Sequence, residues 1–198
     1  MNLANKLTVF RIILVLVMIV INFFNIPGDF AGISINAWIL ELIFIIASLT
    51  DQLDGYIARK RNQITNFGKF LDPIADKILV ITTLIILVEN GKIPGIIPII
   101  IIFREFIVSG YRLIAVENGG KVIAANMWGK LKTVTQMIAI ISMIIDTNNF
   151  GTIFLTRLDT LPFIINFIST IMMIICVIAT IFSGWTYLKD GKDLLKNK

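Results

Sequence analysis

Long apolar runs alternate with short polar stretches along this chain, and their lengths set the fold expectation. Six runs lie at roughly 8–26, 35–58, 70–90, 94–116, 127–146 and 161–188. Most approach the ~20 residues that a helix needs to span hydrocarbon. A backbone in lipid must satisfy its own hydrogen bonds, so every run is predicted to be helical. That includes Ile96–Ile102, whose β-branched richness would suggest a strand in water. The expected architecture is all-α and integral to a membrane, with six transmembrane helices. A short amphipathic segment over residues 1–7 is expected to lie along the interface. The first run imitates a signal sequence, but no small-x-small cleavage site follows Asn22–Pro27, which favours an anchor. Neither a Pro/Gly/Ser-rich linker nor a 20–50-residue repeat divides the sequence, so residues 1–198 are read as one domain.

Composition supports lipid as part of the solvent. The chain is 57% hydrophobic and only 16% charged, whereas a water-soluble domain keeps roughly 25% of its residues charged. There is no histidine and one cysteine. Disulfide frameworks, Cys-rich metal sites, His-ligated zinc and phosphohistidine chemistry are thereby excluded. The net charge of +5 suits anionic headgroups or phosphate substrates. Nucleic acid is not an expected partner, because the apolar bulk leaves no room for a soluble basic domain. With an even number of spans, all Lys and Arg except Lys92 and Arg157 fall on one side, and the positive-inside rule makes that side cytoplasmic. Trp38, Trp128 and Trp185 near run ends read as interfacial anchors, Cys176 and Met172–Met173 as packing, and Lys189–Lys198 as a solvated tail.

The second and third runs break the apolar pattern with Asp51, Asp54, Asp72 and Asp76. An Asp at a helix centre costs about 2.5–3.5 kcal/mol on insertion scales, so four together require a compensating charge. Asp51 and Asp54 are spaced i,i+3 and Asp72 and Asp76 i,i+4, which puts each pair on one face of its helix. If the chain turns back around Asn62–Asn66, the pairs can face each other around a cation. All-oxygen ligation selects hard cations such as Mg²⁺, Mn²⁺ or Ca²⁺ rather than zinc or copper, and two ions sharing carboxylates serve phosphoryl chemistry. Gly55, Ala58 and Gly68 clear space beside these carboxylates, and Arg59 adds a cation at its edge.

Taken together the residues read Asp51-x-x-Asp54-Gly55-x-x-Ala58-Arg59, then Gly68-x-x-x-Asp72-x-x-x-Asp76. This resembles the complete signature of the CDP-alcohol phosphatidyltransferase family. The likeness implies a six-helix membrane fold, usually homodimeric, with Mg²⁺ or Mn²⁺, two ions in all, at the cytoplasmic side. It implies metal ligation by Asp51, Asp54 and Asp72, with Asp76 as a further ligand and general base. It also implies a CDP-lipid pocket lined by Thr8, Asp51, Gly55, Ala58, Arg59 and Gly68.

Further stretches resemble the bacterial members that act on glycerol 3-phosphate: Asn5-Lys6-Leu7-Thr8 with Arg11, Phe67 to Lys77, Arg104 to Ile107, Tyr111-Arg112, and Gly129 to Thr133. Ala4 departs from the Pro expected there, and the carboxy-terminal run matches only in hydrophobicity. The expectation is an enzyme of a bacterial cytoplasmic membrane that transfers a phosphatidyl group from CDP-diacylglycerol to glycerol 3-phosphate. A phosphate-bearing acceptor needs cations beyond the metals, and Arg112, Arg104, Lys130 and Lys132 are available. Arg104 with Glu105 also reads as a structural ion pair, Lys130 and Lys132 as topology charges. The rivals are the same chemistry on another alcohol, including synthesis of cardiolipin, phosphatidylserine or phosphatidylinositol phosphate, and an ion-coupled transporter using the Asp cluster.

Overall fold

The computed structural model describes residues 3–24, 26–60, 66–117 and 127–190, and for 3–4, 52–60, 66–67, 69–70, 72, 113–117 and 190 the backbone alone. Six long helices carry the chain: α1 (Leu3–Phe24), α2 (Ile35–Lys60), α3 (Asn66–Glu89), α4 (Ile96–Glu117), α5 (Met127–Ile145) and α6 (Thr160–Asp190). They coincide with the six apolar runs to within a few residues. Two of them, over Asn5–Phe24 and Thr160–Lys189, are long and apolar enough by composition to cross a membrane. The others interrupt their apolar stretches with charged side chains such as Glu41, Asp51, Arg104 and Lys132. The short amphipathic lead-in expected over residues 1–7 takes a different form. From Leu3 onward it is the first turn of α1, continuous with the apolar run. Its polar residues Asn5 and Thr8 are buried, so they join the face that packs inward.

One strand pair departs from the all-α expectation. β1 (Asp29–Phe30) and β2 (Ile33–Ser34) form a minimal antiparallel hairpin. Its two-residue turn has positive φ at both Ala31 (54°) and Gly32 (75°), the geometry whose twist matches paired strands. The hairpin leads directly into α2, where the Ala37 amide donates to Ser34 Oγ at 3.1 Å, an N-cap contact. Trp38 Nε1 donates to the Phe30 carbonyl at 3.1 Å, so this aromatic braces the turn.

Contacts group the described chain into two compact units. The first comprises Met1–Lys92 with Met143–Asn149, the second Ile93–Ser142 with Phe150–Lys198. In the first, α1 packs along both α2 and α3. Val15, Met18, Phe44, Ala47, Leu79 and Leu84 are buried there. α3 is closed by Gly91, whose φ of 68° favours a residue without a Cβ. The Gly91 amide donates to the Val88 carbonyl and the Lys92 amide to the Leu87 carbonyl, a Schellman closure that fixes where Lys92 begins.

In the second unit α4 packs on α6. α6 begins where the Phe163 amide donates to the Asp159 carbonyl at 2.8 Å. Pro162 falls in that first turn, where no amide donor is needed. One face of α6 carries Asn166, Thr170, Met173, Cys176, Thr180, Ser183 and Tyr187, all buried. Their spacing of three and four residues makes a continuous inward stripe. Asn166 and Thr170 accept hydrogen bonds from the amides of Ile153 and Gly151, tying down the preceding loop.

Candidate functional site

The acidic residues belong to the first unit. Asp51 lies on α2, and its Oδ1 sits 2.7 Å from Nη1 of Arg11 on α1. The Arg11 side chain is 0% exposed and that of Asp51 41%. A fully buried guanidinium therefore holds a carboxylate that still faces outward. Thr8 lies one turn before Arg11, also buried, on the same face of α1. On α3, Gly68 and Ala75 are buried and Asp76 is exposed. Pro73 lies between Asp72 and Asp76 and removes one backbone donor from the helix at that turn. The side chains of Asp54, Gly55, Ala58, Arg59 and Asp72 lie outside the described residues. Among the described residues no three acidic, His or Cys side chains meet.

The basic candidates belong to the second unit and form a tight cluster. Glu105 Oε1 accepts from Arg104 Nη1 at 2.8 Å and from Lys132 Nζ at 2.6 Å. Arg104 Nη2 also donates to the Ser183 hydroxyl. Arg112 Nη2 donates to the Tyr187 hydroxyl at 2.8 Å. The Tyr187 ring lies 5.8 Å from the Arg104 guanidinium carbon and 5.5 Å from that of Arg112. Arg104 Nε is buried and has no acceptor among the described residues. Lys130 is exposed and stands apart from these contacts.

The reading of Arg104 with Glu105 as an ion pair describes their geometry, with Lys132 added to the same oxygen. Sequence reasoning missed three participants. Arg11 counted as a topology charge, yet it is internal and paired. Ser183 and Tyr187 went unnoticed because the carboxy-terminal run was judged by hydrophobicity alone. Their i,i+4 spacing on the polar stripe of α6 was the available signal. Trp128 stacks on Phe182 with centroids 5.0 Å apart, and Cys176 is buried and unoxidised, so both pack rather than react.

The family model for CDP-alcohol phosphatidyltransferases matches residues 1–185. The chain belongs to that family. Curated relatives named CDP-diacylglycerol–glycerol-3-phosphate 3-phosphatidyltransferase align over nearly all of it. The Bacillus subtilis protein is 40% identical over 202 residues, covering 98% of this chain and 97% of the relative. The Haemophilus influenzae protein is 38% identical over 200 residues, covering 98% and 95%. The Rickettsia typhi protein is 35% identical over 195 residues, covering 96% and 97%.

CDP-alcohol phosphatidyltransferases use divalent metal, and the described donors suit one. A carboxylate offers about four acceptor positions. Asp51 engages Arg11 through one oxygen and keeps capacity for a hard cation on its exposed side. The Arg11 contact fixes the orientation of that carboxylate, as partners behind a metal ligand do. With no histidine in the chain, these carboxylate donors are oxygen only, which suits a hard divalent cation.

Proposed function

We propose that the chain transfers the phosphatidyl group from CDP-diacylglycerol to glycerol 3-phosphate, forming phosphatidylglycerophosphate and CMP. Membership of the family and the near full-length relatives support the reaction. One observation carries the choice of acceptor. Arg104 and Lys132 share a single carboxylate, Glu105, while Arg112 joins Arg104 at Tyr187. This leaves an excess of positive charge and an orphaned guanidinium donor on helices read as membrane-embedded, an arrangement that calls for an anion. The phosphate of glycerol 3-phosphate supplies it, and Arg forks suit its oxygens. Lys130 adds a solvent-side cation.

In this reading Asp51, Asp54, Asp72 and Asp76 would hold divalent metal, Mg²⁺ or Mn²⁺, two ions in all. When bound, these ions supply neutralising charge for the pyrophosphate and the departing CMP. Thr8, Gly55, Ala58, Arg59 and Gly68 line the CDP-lipid pocket together with Asp51. Arg11 keeps Asp51 oriented. Asp76, exposed on α3, takes the proton from the acceptor hydroxyl. That oxygen then bonds to the lipid-linked phosphorus as the bond from phosphorus to the CMP oxygen breaks. The test is CMP release by purified protein with CDP-diacylglycerol, Mg²⁺ or Mn²⁺, and each alcohol offered separately. Glycerol 3-phosphate alone should support turnover; equal use of glycerol, serine or inositol phosphate would reject the acceptor.

The same proposal makes all six helices transmembrane in one domain that acts as a homodimer in a bacterial cytoplasmic membrane, its site facing the cytoplasm. The distribution of Lys and Arg supports the orientation. In a Cys176→Ser background, cysteines at positions 62 and 119 should be labelled only from the cytoplasm and one at 149 only from outside. Cross-linking in native membranes should give a dimer; a monomer throughout would remove that part.

A further inference from the structure

A second candidate binding site lies entirely within the first unit, well away from the acidic residues. It is a cavity of about 380 Å³ between the hairpin, the amino-terminal end of α2, the carboxy-terminal end of α3 and the residues after α5. Asn36 lines it fifteen residues before Asp51 on the same helix, which at 1.5 Å per residue is about 22 Å. The volume falls within the range of pockets that hold small ligands.

The lining sorts donors from acceptors. Lys92, fixed by the Schellman closure of α3, points its ammonium to the Asp146 carbonyl. Burial pushes its pKa below the ordinary lysine value, while the Asp146 carboxylate works in the opposite direction. An arriving anion would favour the charged ammonium further. The Ser34 hydroxyl accepts from the Ala37 amide and so keeps its own proton to donate. Ser34 sits at the amino-terminal end of a 26-residue helix, the end that favours negative charge. Thr83 Oγ1 spends its proton on the Leu79 carbonyl and is left as an acceptor. Asn36 is 5% exposed, and its Oδ1 has no donor among the described residues. Leu40, Leu87 and Ile144 make the apolar wall. Ile86 is shared with a mainly apolar groove of about 260 Å³ between α1 and α3.

We propose that this cavity binds the headgroup of a membrane phospholipid, separately from the transfer reaction. The phosphodiester meets Lys92 and Ser34. Hydroxyl or ammonium donors further out on the headgroup meet Asn36 and Thr83. The apolar wall and the adjoining groove favour a lipid over free phosphate, because they offer area that an inorganic anion leaves unused.

Native mass spectrometry of the full-length protein in detergent tests this with four probes: phosphatidylglycerol, phosphatidylcholine, diacylglycerol and inorganic phosphate. Wild type should retain one phosphatidylglycerol about tenfold more tightly than phosphatidylcholine, whose headgroup has no donor, and more tightly still than diacylglycerol. Lys92→Gln and Asn36→Leu should each weaken that retention by about tenfold while leaving CMP release unchanged. Asp51→Asn should retain the lipid as wild type does, which separates this site from the catalytic one. Equal retention by wild type and both variants, or equal binding of phosphatidylcholine or diacylglycerol, overturns the proposal. Inorganic phosphate that displaces the lipid at matched concentration overturns the lipid assignment. Should the variants fail to fold, wild type with a headgroup-photoreactive phosphatidylglycerol remains decisive. Label must appear in peptides spanning 32–40 or 83–92, and label confined elsewhere rejects the site.

Discussion

Carboxylates on α2 and α3 and cations on α4 and α5 both interrupt apolar helices, but their neighbours differ. Asp51 has one buried partner, Arg11, and remains 41% exposed, and Asp76 is exposed too. Two of the cations are enclosed: side-chain exposure is 11% for Arg104, 8% for Lys132 and 18% for the Glu105 between them. Asp51 is thus open on one side and keeps acceptor capacity there. The basic group is assembled beforehand from protein donors and acceptors, with only part of its positive charge answered. An open ligand set suits an exchangeable cation. A pre-assembled set suits recognition of a fixed anionic group, because less orientation is lost on binding.

The comparison breaks most sharply at Asp51. Asp51→Asn removes an anionic ligand while keeping an oxygen for Arg11. Turnover should fall by about a hundredfold or more, the scale of losing a charge-stabilising group at the reacting centre. Excess chelator should do the same to wild type, and added Mg²⁺ or Mn²⁺ should restore it. Full turnover in chelator would show that the open carboxylates serve no metal.

Arg11→Leu sharpens the same point. Losing its charge strengthens cation attraction, but at a partly exposed carboxylate that effect is screened. Losing the contact frees Asp51 to rotate, and screening does not restore orientation. The second effect wins, so activity should drop about 10- to 100-fold, with a higher metal concentration needed for half-maximal rate. An unchanged metal midpoint would reduce Arg11 to a packing residue.

The two groups were also unequally legible in the sequence. Carboxylates in apolar runs stand out because insertion penalises them, and their spacing within 26 positions was enough to place them on α2 and α3. The six helices followed from run length; the caps at Ser34 and Gly91 that set two of their ends came only from the structure. The basic group was half visible. Arg104, Arg112 and Lys132 drew attention by charge, but Ser183 and Tyr187 are common in membrane helices, and only packing of α4 on α6 selects them. The hairpin was hidden for another reason. Two-residue strands carry no periodicity, and Ala31 at positive φ is a residue type that gives no warning of such a turn.

In the proposed reading Arg112 is the residue that meets the acceptor phosphate; it is exposed while anchored to Tyr187. Arg112→Ala should lower kcat/KM for glycerol 3-phosphate at least about tenfold, the value of one hydrogen bond between charged groups. Arg112→Lys should recover only part of this, since a point charge cannot reproduce a fork. The KM for CDP-diacylglycerol should stay unchanged, because the CDP pocket is assigned to α1, α2 and α3. Equal loss with both substrates would move Arg112 out of the acceptor site.

The smallest expected effect falls on Tyr187, and it separates preassembly from charge. Tyr187 is 1% exposed, its hydroxyl accepts from Arg112, and its ring contacts both guanidinium groups. Tyr187→Phe keeps the ring and removes only the hydroxyl. Arg112 then loses one anchor that water partly replaces, a net change of about 0.5–1 kcal/mol, or about two- to fivefold. The loss should appear in the acceptor KM, with kcat and the donor KM intact. Tyr187→Leu also removes the aromatic face, and each lost cation–π contact adds about 0.5–1 kcal/mol, so the acceptor defect should deepen to about tenfold or more. A purely structural tyrosine would behave differently: both variants would lower thermal stability and scale kcat/KM for the two substrates together. Thermal melts alongside kinetics with each substrate varied therefore decide the matter. A Tyr187→Phe enzyme with an unchanged acceptor KM would mean that Arg112 is oriented by the bound phosphate itself, and the contrast between open and pre-assembled groups would then rest on Glu105, Arg104 and Lys132 alone.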